Sequence, residues 1–234
     1  MLGKLSEKDS SADFSYGYKR FSLLGALING MVLTIGSIWV ISEAIPKLFN
    51  PEMPMIEGML GLAILGILVN GYAAFKLSSG KTLNERILNW HLLEDVLGWL
   101  AVFIVSIVLI FIEWPILDPL LAIGFTLFIL LGVLRNMSTT LKLFLQGVPD
   151  KELATKVEDI LKSIPEVQQF HHLHLWSLDG ESHVLTVHIN LRPSTSLEKL
   201  KSIRQQVSQA LSDLNLSHTT IQFELDKEYC RNVE

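Results

Sequence analysis

Two sets of residues in this sequence have the side chains that bind metal ions. The first is a pair, His91 and Asp95, inside a run from Ile87 to Ile112 whose only other ionisable residue is Glu94. Four residues apart on a helix, the two side chains share a face. An ionisable group inside an apolar, membrane-length helix costs about 3 kcal/mol and usually faces a partner or a wet cavity. An imidazole nitrogen beside a carboxylate oxygen suits a tetrahedral, zinc-type ion. Both groups also take protons, so metal and H+ compete for one place, which is the minimum needed for metal/proton exchange. Glu94 lies about 100° round the helix from Asp95 and need not share the site. The ordinary alternative is a helix–helix hydrogen bond or an ion pair near the membrane interface.

The second set lies toward the C-terminus: His171, His172, His174, His183, His188 and His218, six of the seven histidines, followed by the single cysteine, Cys230. On a regular strand His172 and His174 share one face and His171 points to the other. His188 approaches one of them across a hairpin, and Glu224 and Cys230 lie on or just after a third strand. Histidine and carboxylate at a sheet edge bind Zn2+, with Cys230 as a further thiolate. Taken singly, each histidine is as readily an ordinary surface or core residue.

The elements that must carry these residues follow from charge and hydropathy. The 234 residues are 49% hydrophobic and 18% charged, against about 25% charged in an average soluble domain, and the mean hydropathy is +0.38. Residues 21–42, 58–75 and 119–134 carry no charge at all. With their flanks, these runs and the one holding His91 reach the roughly 20 residues that a bilayer core of about 30 Å requires. Four transmembrane helices are expected, at about 21–42, 55–77, 87–112 and 116–137. A buried soluble bundle would need polar outer faces that these runs lack. Lys19, Arg20, Lys76, Lys81, Arg86, Arg135 and Lys142 flank alternate loops, while Glu43, Glu52, Glu57, Glu113 and Asp118 mark the others. That alternation puts the N-terminal segment, residues 1–20, and the C-terminal region in the cytoplasm. The net charge of −5 argues against a nucleic-acid partner, and one cysteine excludes an internal disulfide framework.

Residues 149–234 read as a small α+β domain. Leu153, Val157, Ile160 and Leu161 have helical spacing before Pro165. Two alternating runs, 168–178 and 182–191, meet at Asp179-Gly180, a hairpin turn signal. Leu197, Leu200, Ile203, Val207 and Leu211 mark a second amphipathic helix, and residues 219–225 a third strand. The order is αββαβ.

Together these residues resemble the cation diffusion facilitator (cation efflux) family, nearest its zinc/cadmium/cobalt efflux branch. The resemblance is carried by Tyr16-Gly17-Tyr18-Lys19-Arg20, Asn70, His91-x-x-x-Asp95, Asp118-Pro119 and Leu145-Gln146-Gly147-Val148-Pro149. In the tail it is carried by the run from His171 to Ser177 and the run from His218 to Glu224. It implies a transporter rather than an enzyme, a homodimer joined through a ferredoxin-like cytoplasmic domain, and export of Zn2+, with Cd2+ or Co2+ as alternatives, against inward H+ in a bacterial cell membrane. It also implies that His91 and Asp95 belong to the transport site and that His171, His188 and Glu224 are tail metal ligands, with His172, His174, His218 and Cys230 as further candidates. The family pattern has six helices and a second ligand pair on its second helix. This sequence carries one pair, so half of the transport site is expected, Glu94 stands in place of a small residue, and Gln222 stands where some relatives have histidine. The competing expectation is a membrane-anchored zinc-binding partner or regulator of a full-length relative that does not itself transport.

Overall fold

The structure, a computed structural model, describes residues 5–6, 8–78, 83–192, 197–224 and 230, with the backbone alone for 83–91 and 197. The uncharged runs form α1 (Arg20–Phe49), α2 (Ile56–Leu77), α3 (Leu83–Phe111) and α4 (Leu117–Phe144). All four are long and apolar enough to cross a membrane. Even α2, the shortest at 22 residues, rises about 33 Å at 1.5 Å per residue, enough for a bilayer core.

Two helices outrun the ends expected from hydropathy. α1 continues past Ser42 to Phe49 with Pro46 inside it, and Glu43 and Lys47 pair one turn apart at 3.8 Å, a spacing that supports helix. α4 continues to Phe144 because its end is set by a cap, not by the edge of the apolar run. Gln146 takes a left-handed φ of 64°, its N–H donates to the Leu143 carbonyl, and the Gly147 N–H donates to the Lys142 carbonyl at 2.8 Å. This double closure is the Schellman arrangement. Gly147 is required there, since a Cβ would lie 2.9 Å from the Lys142 carbonyl oxygen.

The chain divides into two compact units, Val32–Leu134 and a second that joins Met1–Met31 to Arg135–Glu234. In the first, α2 packs on α3 where Gly66 lies against Trp99, and Gly98 of α3 lies against Phe125 of α4. Small residues at the crossing let helices approach closely, the usual way that membrane helices associate. Most other side chains point outward, among them Trp39, Phe75 and Phe111. A soluble bundle would not leave so much apolar surface uncovered.

The second unit contains the tail domain: α5 (Lys151–Ser163), β1 (Val167–Ser177), β2 (His183–Leu191), α6 (Leu197–Ala210) and β3 (Leu216–Glu224), the αββαβ order read from the sequence. Asp150 caps α5 by accepting from the Glu152 N–H at 3.0 Å. The three strands lie in the order β1-β2-β3, with β1 antiparallel to β2 and β2 parallel to β3. Leu185, Val187, Ile189 and Leu191 of β2 face a core closed by Val157 and Leu161 of α5 and Ile203 and Val207 of α6. Thr186, His188 and Asn190, the alternate residues, are half-buried on the opposite face. The hairpin turn is held by Asp179, whose Oδ1 accepts from the N–H groups of Glu181 and Ser182, and by Gly180 at a φ of 102°.

The N-terminal segment belongs to the same unit. Tyr16 stands edge-on to His218 at 5.1 Å and to Trp176 at 6.3 Å. Lys19 Nζ donates to Ser182 Oγ at 2.8 Å. Its polarity had marked it only as a cytoplasmic lead-in.

Candidate metal centre

The tail histidines are arranged by an irregularity in β1. His171 is paired with His188 and His174 with Thr186, so three steps along β1 match two along β2. The extra residue is a β-bulge, and His172 takes a positive φ of 47° within it. Strict alternation would have set His171 on the face opposite His172 and His174. The bulge shifts the parity by one, so His171 and His174 lie on the same face of the sheet as His188 and Thr186. The sequence reading of opposite faces is corrected on this point, since alternation holds only where the ladder is unbroken.

On that face four potential ligands converge. His188 Nδ1 lies 2.8 Å from Glu224 Oε1, His171 Nε2 lies 3.3 Å from Glu224 Oε2, and Cys230 Sγ lies 3.4 Å from His188 Nδ1. One donor atom from each of His171, His188, Glu224 and Cys230 lies within 4.8 Å of the other three. Zinc bonds of about 2.0–2.3 Å place tetrahedral donors about 3.3–3.8 Å apart, so closing on an ion needs movements of about 1 Å. The Glu224 side chain is 2% exposed, against 31% for His171 and 15% for His188. Glu224 Oε2 and His171 Nε2 are buried and, although they face each other at 3.3 Å, neither makes a hydrogen bond. Buried carboxylates are normally fully paired or bind a cation, so these two orphaned atoms suit a divalent ion.

The other tail candidates stand apart from this group of four. His172 borders it, its ring 5.1 Å from that of His171 and 5.2 Å from that of His188. His174 lines a cavity of about 340 Å³ with Gln146, Trp176 and Thr186. His218 is opposite Val184 on the sheet and packs on Tyr16. His183 is half-buried, and burial holds its pKa below the ordinary 6.5, partly offset by the Asp179 and Asp150 carboxylates. Gln222, opposite His188, is exposed.

In the membrane unit, the backbone of α3 is continuous helix through His91 and Asp95, as the i, i+4 reading requires. Asp95 and Glu94 are exposed within the span Leu92–Phe111; the side chain of His91 lies outside the described residues.

What the sequence did not reveal is the bulge that turns His171 toward His188, and the docking of Tyr16 and Lys19 on the tail domain. The positive-φ residue of the bulge is a histidine, so composition gave no sign of it.

Residues 1–145 match the family model described as the cation efflux transmembrane domain, and residues 149–226 match the cation efflux protein cytoplasmic domain. The chain is 30% identical to a cadmium, cobalt and zinc/H(+)-K(+) antiporter of Bacillus subtilis over 95% of its own length and 73% of that protein's. It is 30% identical to the zinc transporter ZitB of Yersinia pseudotuberculosis over 96% and 72%, respectively. It is also 30% identical to the metal cation efflux system protein CzcD of Cupriavidus metallidurans over 94% and 70%. Among solved structures, the metal-bound C-terminal domain of the CzcD transporter from that organism is 35% identical, covering 32% of this chain and 99% of that one, with a TM-score of 0.28.

Proposed function

The chain belongs to the cation efflux family and is an integral membrane protein, and from that premise we propose that it moves a divalent cation, Zn2+ first, out of the cytoplasm in exchange for protons. The observation that carries the reading is Asp95, a carboxylate in the apolar span Leu92–Phe111, four residues after His91 on one continuous helix. Both termini are cytoplasmic in this reading, supported by the basic residues around the N-terminal segment, the α2–α3 loop and the end of α4. On the cytoplasmic side His91 and Asp95 lose their protons and offer an imidazole lone pair and a carboxylate to the ion. On the other side a higher proton concentration refills both and releases it. Imidazole and carboxylate together favour Zn2+, Cd2+ or Co2+ over Mg2+ and Ca2+. His91 and Asp95 supply two donors, and a closed tetrahedral shell takes four, so the remaining ligands reach the α3 face from elsewhere in the assembly.

The tail domain binds the same ions through His171, His188 and Glu224 and reports cytoplasmic metal to a homodimer. The orphaned Glu224 Oε2 and His171 Nε2 support this part.

The test is flux into sealed vesicles containing the purified chain and a zinc-sensitive dye. An imposed pH gradient is expected to drive Zn2+ movement with an opposite movement of protons, and Asp95→Asn to abolish both. Zinc binding to the tail without any gradient-driven flux would instead make the chain a binding partner or regulator.

A further inference from the structure

We propose that Cys230 closes the tail centre as its fourth ligand, a thiolate, and so restricts the centre to thiophilic four-coordinate cations, Cd2+ and Zn2+ above all. The inference rests on the reading of His171, His188 and Glu224 as a metal site and adds to it. Its basis is positional. β3 ends at Glu224, and Cys230 comes back to the sheet face so that its Sγ lies 3.4 Å from His188 Nδ1, inside the group of donors that are mutually within 4.8 Å. Without the sulfur the centre has two nitrogens and one oxygen, a set with an open position that water would fill. With it, the donor set becomes N2OS, a closed shell of the kind that structural sites use.

The neighbours also favour sulfur as a ligand over sulfur as packing. Glu224 is 2% exposed and keeps one carboxylate oxygen without a hydrogen-bond partner, as does the facing His171 Nε2. A neutral thiol can give that carboxylate only a weak hydrogen bond. A divalent cation satisfies the carboxylate and both imidazoles at once, and it deprotonates a coordinating thiol outright. Bringing a thiolate beside a buried carboxylate is favourable only with such a cation between them.

A thiolate changes selectivity in a definite direction. Sulfur ligands favour Zn2+ and Cd2+, while Mn2+ and Mg2+ prefer shells of oxygen. The tail would then discriminate against the oxygen-loving ions more sharply than the His91 and Asp95 pair, which has no sulfur.

The full chain in detergent, loaded anaerobically with Co2+, tests this directly. Cys230 is the only cysteine in the sequence, so any thiolate-to-cobalt charge-transfer band in the near ultraviolet reports on this residue alone. The expected result is that band together with visible tetrahedral cobalt absorption. Cys230→Ser is expected to remove the band, keep part of the visible absorption, and weaken Cd2+ binding by at least about 10-fold, since losing even a second-shell partner costs about 10- to 100-fold. Visible absorption that depends on Glu224 but comes without a thiolate band would overturn the role of Cys230 and leave the three-ligand site standing. Absorption that Glu224→Gln leaves unchanged would remove the tail site, and this inference with it.

Discussion

Glu224 is the residue on which the candidate tail centre turns, because its carboxylate is buried and its Oε2, though 3.3 Å from His171 Nε2, makes no hydrogen bond. In the metal-free protein that oxygen is a liability, worth about 1–3 kcal/mol for an unsatisfied buried group. Glu224→Gln removes the charge and retains the shape. The metal-free tail domain is therefore expected to melt at an unchanged or higher temperature, while its stabilisation by zinc disappears. For the unaltered domain, Zn2+ at 100 times its dissociation constant adds about 2.7 kcal/mol by mass action, so paired melts with and without zinc separate the two proteins. His183 makes a second prediction at this scale. Burial lowers its pKa below the ordinary histidine value of 6.5, so between the two values the unfolded chain binds a proton that the folded chain refuses. Its contribution is thus present above about pH 6.5, the unfolded value, and is lost as the pH falls through the depressed folded value. Denaturation curves of the domain at pH 7.5 and pH 5.5 are expected to show this loss, and to show less of it in His183→Gln. An equal loss in both would assign the acid sensitivity to other groups.

At the scale of elements, the ends of helices are set by caps that hydropathy does not register. Asp150 holds the first turn of α5 through the Glu152 N–H, and Asp150→Ala is expected to cost about 1 kcal/mol. In a domain of this size that lowers the melting temperature by about 4–8 °C, readable by circular dichroism. The same distinction explains which parts of the fold the residues announced. The membrane helices were legible because a long run without charge has few other uses, and the tail order was legible because Asp179-Gly180 separates two alternating runs. The ends of α1 and α4 were not, because α1 runs on as helix through the charged Glu43 and Lys47 and α4 stops at the left-handed Gln146, neither of which apolar content registers. The candidate metal centre was partly legible: the residue types at 171, 188, 224 and 230 are those that can bind metal. Their convergence was not, because it depends on one inserted residue at His172 that reverses the parity of β1, and on where the chain goes after β3.

For the whole molecule, the two groups of candidate metal ligands fall in different compact units, His91 and Asp95 in one and the tail residues in the other. Transport and tail binding are therefore expected to separate under mutation. Asp95→Asn keeps the size and hydrogen-bonding capacity of the side chain but removes the charge and the carboxylate on which the proposed metal/proton exchange depends. Vesicles carrying this variant are expected to show the zinc flux of empty vesicles under a pH gradient, while Co2+ binding at the tail stays as in the unaltered chain. Glu94→Gln lies about 100° round the helix from Asp95, and most of the flux is expected to survive it. Glu224→Gln should do the reverse of Asp95→Asn, with tail binding lost and gradient-driven flux retained at a rate that no longer responds to prior zinc loading. Each variant is measured for both flux and tail spectrum on the same preparation, so a misfolded protein would lose both signals and identify itself. If Asp95→Asn and Glu94→Gln reduced flux equally, the helical phase that pairs Asp95 with His91 would be wrong. If Glu224→Gln stopped flux as completely as Asp95→Asn, the tail centre would be part of the transport path rather than a sensor of cytoplasmic metal.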